Sequence, residues 1–265
     1  MDDFAKKHYD RQWLLDFFSL GAWVHQYTGI ALYQAAQRIP SDITIAADDR
    51  PRIQAALRAK ILGEVAGSME TLGRLCWSIQ HREPNGIAAE FINMRQDQAV
   101  SFYKEILIGP ITAPNLIKKL GLPPLPTLVT LALKDNVEEF LDQLTTALVR
   151  YASIYIDPDP TNSTNGSLLR RSYNAIKHGS HVIANAPVLV APTRISEERH
   201  SIYITVRWPK QDEEMSNTTL GMVTRSMKQE DVATDLEVIR TIAVIMTNLC
   251  QLLIVLLDRD ILTYG

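Results

Sequence analysis

Residues Val238 to Leu257 form an apolar run of about 20 residues, long enough to make a helix that must be buried in protein or in lipid. Arg240, Thr241, Thr247, Asn248 and Gln251 interrupt it. Charged and amide groups are expensive in hydrocarbon, so the run reads as the central helix of a soluble bundle, with membrane insertion the disfavoured alternative. Such a helix needs apolar neighbours on several sides, and the rest of the chain has to supply them.

Helical periodicity supplies them. From Asp2 to about Arg38, Trp13, Phe17, Leu20, Val24 and Tyr27 step by three or four and share one face. A second helix is expected from Asp48 or Asp49 to about Gln80, with Pro51 suited to its first turn and Ile53, Leu57, Ile61, Val65, Leu72 and Leu75 along it. Ile87 to Ile108 reads as a third helix, and Leu128 to Tyr155 as another. Between these two, prolines leave room only for a short piece over Asn115 to Leu120, capped by Gly121. The last helix runs from about Gln229 to Leu257. Two stretches change period: Pro187–Ala191 and Ser201–Trp208 are rich in β-branched and aromatic residues. The expected fold is therefore mainly α, a single domain over residues 1–265 with about six main helices and one inserted β-hairpin over residues 187–209.

Composition narrows the function classes. The chain is 46% hydrophobic and 22% charged, which excludes collagen-like or largely disordered architectures. Lys and Arg total 27 against 30 for Asp and Glu, so any nucleic-acid binding has to come from a local basic patch. The residues Met1 to Lys7 are charged and lack the apolar core of a secretory signal, and the expected location is cytoplasmic. Cys76 and Cys250 sit in apolar helical patterns as two buried free thiols. There is no GxGxxG, P-loop, HExxH or GxSxG pattern, and no cofactor is expected. His8, His25, His81 and His200 are scattered and read as surface or packed residues, not metal ligands. Glu64, Glu70, Glu138, Glu139 and Asp142 read as solvated helix faces.

One stretch concentrates polar chemistry. In Leu168-Leu169-Arg170-Arg171-Ser172-Tyr173-Asn174-Ala175-Ile176-Lys177-His178-Gly179, residues Arg171, Asn174 and His178 are spaced i, i+3 and i+7 and line one helical face. Histidine can remove and return a proton near neutrality. Arginine grips phosphate by a two-pronged hydrogen bond. Asn174 can orient the imidazole or bind substrate, and Arg170 and Lys177 can hold flanking phosphates. These are the parts needed to cleave RNA without metal: a base activates a 2′-hydroxyl, and a cation steadies the charge that develops on the phosphate. The same residues also suit a helix C-terminus, with cations at the negative end of the dipole followed by a glycine cap. Both readings stay open.

The stretch resembles the HEPN superfamily of helical proteins, whose signature is an arginine, four to six residues and then a histidine on a late helix. Arg171 and His178 enclose six residues and fit the loose form. In the tighter form a polar residue directly follows the arginine; here Ser172 stands there and Asn174 comes later. The resemblance implies an all-helical fold with Arg171 and His178 as catalytic positions. It further implies a metal-independent endoribonuclease of a stress or defence system, commonly with its site built across a homodimer. Other members are non-catalytic binding modules. The rival reading is accordingly a helical interaction protein that takes a protein partner through the aromatic N-terminal helix or the hairpin.

Overall fold

The computed structural model describes residues 2–131, 136–156, 169, 173, 182–184, 201–205, 222–226 and 229–262. Among them are nine α-helices: α1 (Asp3–Ser19), α2 (Val24–Arg38), α3 (Arg50–Gln80), α4 (Ile87–Asn93), α5 (Gln96–Leu107), α6 (Ala113–Lys119), α7 (Leu125–Leu131), α8 (Val137–Tyr155) and α9 (Gln229–Asp258). The chain is mainly α, as its periodicity implies. Strands β1 (Val182–Ala184), β2 (Ser201–Thr205) and β3 (Met222–Ser226) form an antiparallel sheet in the order β1-β2-β3. Val182 lies opposite Ile204, and Ser201 opposite Ser226. These strands do not establish the hairpin expected over 187–209. Its first arm, residues 187–191, lies outside the described residues, and β2 pairs with segments on either side of that range.

Three expected helices are each broken in two. The segment Asp2–Arg38 divides at Leu20, where φ is −135° and a short 3-10 turn, Gly21–Trp23, follows. A side chain at position 21 would place its Cβ 2.5 Å from the Phe17 ring, so the turn that follows the break is close-packed against that ring and takes glycine. The segment Ile87–Ile108 divides at Met94 and Arg95, both extended. Buried Met94 anchors the break, and the Gln98 side chain accepts from the Arg95 N–H at 2.7 Å to start α5. The segment Leu128–Tyr155 divides into α7 and α8.

The chain forms two compact units. The first comprises Met1–Val24, Ser68–Ser163 and Arg240–Gly265; the second comprises His25–Gly67 and Thr164–Ile239. In the first unit α8 is packed by α5, α6 and α7, with Leu141, Leu144, Leu148 and Tyr155 fully buried. Trp13 stacks on Phe17 at 5.0 Å, and both rings meet Phe91. Tyr103 donates to the Met69 carbonyl at 2.6 Å.

Two buried charges in this unit hold helix ends. Asp10, 1% exposed, accepts from the Ile87 N–H at 2.7 Å and the Ala88 N–H at 2.8 Å, capping α4 from α1. Arg82, 7% exposed, donates to the carbonyls of Ile79, Leu120 and Gly121. Those at 120 and 121 close the end of α6, where Gly121 takes φ +61°.

The expectation that Glu64 and Glu70 are solvated is corrected. Glu70 is 7% exposed and accepts from the Tyr155 hydroxyl at 3.2 Å within the first unit. In the second unit Glu64 is partly buried and pairs with His25. A helical wheel places these carboxylates off the apolar stripe, but α3 is covered on more than one side, and each finds a polar partner there.

In α9, Ile242, Met246, Leu249, Leu253 and Leu256 alternate steps of four and three and are buried. The polar interruptions are each accommodated. Arg240 and Thr241 are exposed, and Thr247 donates to the Ala243 carbonyl at 2.8 Å. Asn248 and Gln251 remain partly exposed. The helix Asp231–Asp258 is long and apolar enough to cross a membrane, and half of its most apolar stretch is buried inside the protein.

Replacing Asp10 by Ala leaves two buried N–H groups unsatisfied and is expected to lower the unfolding free energy by about 2–4 kcal/mol in urea titrations. An unchanged midpoint contradicts the capping role. Burial also raises the acid pKa of Cys76 and Tyr103 and pushes Cys250 up to about 12. Unfolded thiols ionise near ~8.5 and phenols near ~10, so the folded chain keeps protons that the unfolded chain releases. Stability is therefore expected to be full below about pH 8.5 and to fall as pH rises beyond it. Denaturant midpoints that stay flat into alkaline pH would contradict this.

Candidate functional site

The five polar residues singled out in the sequence, Arg170, Arg171, Asn174, Lys177 and His178, lie outside the described residues. Leu169 and Tyr173, in the same stretch, are helical. The described residues bring together two other polar arrangements, one in each unit.

In the first unit, α1, α8 and α9 enclose a cleft of about 640 Å³, within the range of small-molecule pockets. From α1 come Leu15 and Phe18. From α8 and its lead-in come Asn136, Val137, Glu139, Phe140 and Gln143. The third wall is the incompletely covered side of α9: Asn248, Gln251, Leu252, Ile254 and Val255. The cleft is thus mostly apolar, with amides on two facing helices. Glu139 accepts from Gln143 at 3.2 Å, one turn further along α8. Among the described lining residues Glu139 is the one that carries a charge.

This cleft accounts for two of the polar interruptions in the C-terminal apolar run. Asn248 and Gln251 sit three positions apart on one face, and that face opens into the cleft. The signal was present in the sequence as amides inside a core helix. What could not be read there was which neighbours flank them, because Phe18 and Phe140 are far away in the chain. Glu139, expected on a solvated face, is exposed and lines the rim.

In the second unit, His25 Nδ1 lies 2.7 Å from Glu64 Oε2. Gly67, one turn beyond Glu64, makes this possible: a Cβ there would lie 2.7 Å from His25 Cε1. The pair joins α2 to α3. A histidine held by a carboxylate is oriented, and that is useful for proton transfer, but a packed pair joining two helices has the same geometry. The remaining described histidines are structural or exposed. His81 stacks on Trp77 at 3.7 Å and its Nδ1 lies 3.0 Å from the Trp77 carbonyl, while His8 is at the surface. Among the described residues no group of three or more His, Cys, Asp or Glu side chains is placed to hold a metal ion.

Comparison of the chain with protein families, with curated proteins and with solved structures gives no match in any of the three. The chemistry has to be argued from the residues themselves.

Gly67→Ala gains helix propensity of about 1 kcal/mol but pushes the His25 ring off Glu64. It is expected to be close to neutral in stability while abolishing the coupling between His25 and Glu64, which for a partly exposed pair is about 0.5–1 kcal/mol. A double-mutant cycle of His25→Ala and Glu64→Gln, run with and without the Gly67→Ala change, measures this. Coupling that survives the alanine would contradict the assignment.

Proposed function

We propose that the chain is a HEPN-like helical protein that cleaves RNA without metal, with Arg171 and His178 as its working pair. The observation that carries this reading is the i, i+3, i+7 spacing of Arg171, Asn174 and His178 in the sequence of a mainly helical chain, a spacing that would share one face of a helix. His178 takes the proton from a 2′-hydroxyl, whose oxygen attacks the adjacent phosphorus. The bond from phosphorus to the 5′-oxygen breaks, leaving a 2′,3′-cyclic phosphate, and the leaving oxygen takes a proton back from the His178 imidazolium. Arg171 balances the extra negative charge on the phosphate, Asn174 orients the imidazole or the substrate, and Arg170 and Lys177 hold flanking phosphates. The near-neutral bulk charge is compatible with this because Arg170, Arg171 and Lys177 gather positive charge within one short stretch. In this reading the protein is cytoplasmic and works as a homodimer.

A second reading, a non-catalytic interaction protein, is favoured by one specific observation. Trp13 and Phe17 pack on Phe91, but Phe4 and Tyr27 of the N-terminal helices are 81% and 53% exposed. Exposed aromatics of that size are common anchors for a protein partner.

The test is cleavage of mixed RNA in the presence of chelator. The unmodified protein is expected to cut, and His178→Ala and Arg171→Ala to lose at least about 100-fold in rate, the contribution of one general base or one positioned cation. Equal cutting by all three proteins, or none by any, overturns the nuclease reading.

A further inference from the structure

The cleft of the first unit is lined by none of the residues on which the RNA reading rests. From its walls we infer that it binds a small amphiphile with an apolar body and an uncharged or protonated-amine head. Three observations carry this. The volume of about 640 Å³ holds a drug-sized molecule. The walls that meet in it, Phe18, Phe140, Leu252 and Val255, are apolar and come from three helices, so an alkyl or aromatic body would meet apolar side chains from each of them in a half-open cleft. The polar groups sit together with a definite chemistry: Gln143 and Asn248 offer amide donors and acceptors, and Glu139 offers a carboxylate.

That charge balance selects the head group. An ammonium or hydroxyl can donate to Glu139 and to the amide oxygens. A carboxylate or phosphate would meet Glu139 with no cation among the described lining residues to offset it. At 248 an otherwise apolar helix keeps an amide, which is costly in a sealed core but at the wall of a binding cleft can fix the orientation of a ligand.

The test uses the full chain at neutral pH, with phenylnaphthylamine as fluorescent reporter and decanol, decylamine and decanoate as competitors. Saturable binding at one site per chain is expected. Decylamine and decanol should displace the reporter at least about tenfold better than decanoate, a modest difference for a single carboxylate. Glu139→Gln, an exposed substitution, should bring decylamine and decanoate to within about threefold of each other. Ile254→Trp should fill the cleft and abolish displacement, with circular dichroism and thermal melting confirming that it folds. If that variant does not fold, Glu139→Gln alone decides. No reporter binding, decanoate preferred or equal in the unmodified protein, or a preference that Glu139→Gln leaves untouched would each overturn the proposal. So would a dimer that Ile254→Trp dissociates, because the occupant of the cleft would then be a second copy of the chain.

Discussion

Asp10 uses both carboxylate oxygens on the backbone N–H groups of Ile87 and Ala88, although α1 and α4 are more than 65 residues apart in sequence. A carboxylate that is 1% exposed is tolerable only with such partners, and the start of a seven-residue helix is tolerable only with such a cap. Each solves the other's problem. Once α4 is fixed, Phe91 is delivered to Trp13 and Phe17, and Arg74 reaches its ring at 4.9 Å and its carbonyl at 3.0 Å. Arg82 does the complementary task at the other helix polarity, donating to the carbonyls of Leu120 and Gly121 just past the end of α6. Fixed charges at short helix ends thus hold pieces that are too short to be stable alone.

The same economy governs α9. Its buried stripe satisfies the demand of the apolar run for neighbours, and its polar residues are disposed of one by one: at the surface, onto the backbone of its own helix, or into the cleft. Lys7 and Arg11 of α1 pair with Asp260 and Asp258 at the end of α9, where exposure keeps the contribution small. What positions the cleft is apolar packing, and what gives it chemical character is the handful of side chains that the packing leaves over.

Much of this was legible in the sequence. Periodicity located the helices of unit one and unit two, and Pro51 and Gly121 marked an end of α3 and of α6. The breaks at Leu20 and at Met94 were not legible, because neither is written as a proline. At the first the Phe17 ring packs against Gly21, and at the second Met94 is buried. Glu70 was misread for a related reason: its partner Tyr155 lies 85 residues later, and no local pattern announces it. The cleft left a trace, the amides within an apolar helix, whose meaning depended on distant aromatic residues. The Arg171–His178 stretch is read from spacing alone.

One face of α9 is buried in the protein, and another, carrying residues 248 and 251, lines an open cleft. Cysteine labelling tests this arrangement most directly. In detergent-free protein carrying Asn248→Cys, a water-soluble maleimide should modify position 248 rapidly while Cys250, two residues along the same helix, and Cys76 stay unmodified until the chain is unfolded. Labelling of Cys250 as fast as position 248, or no labelling at 248 in the folded protein, would contradict the account.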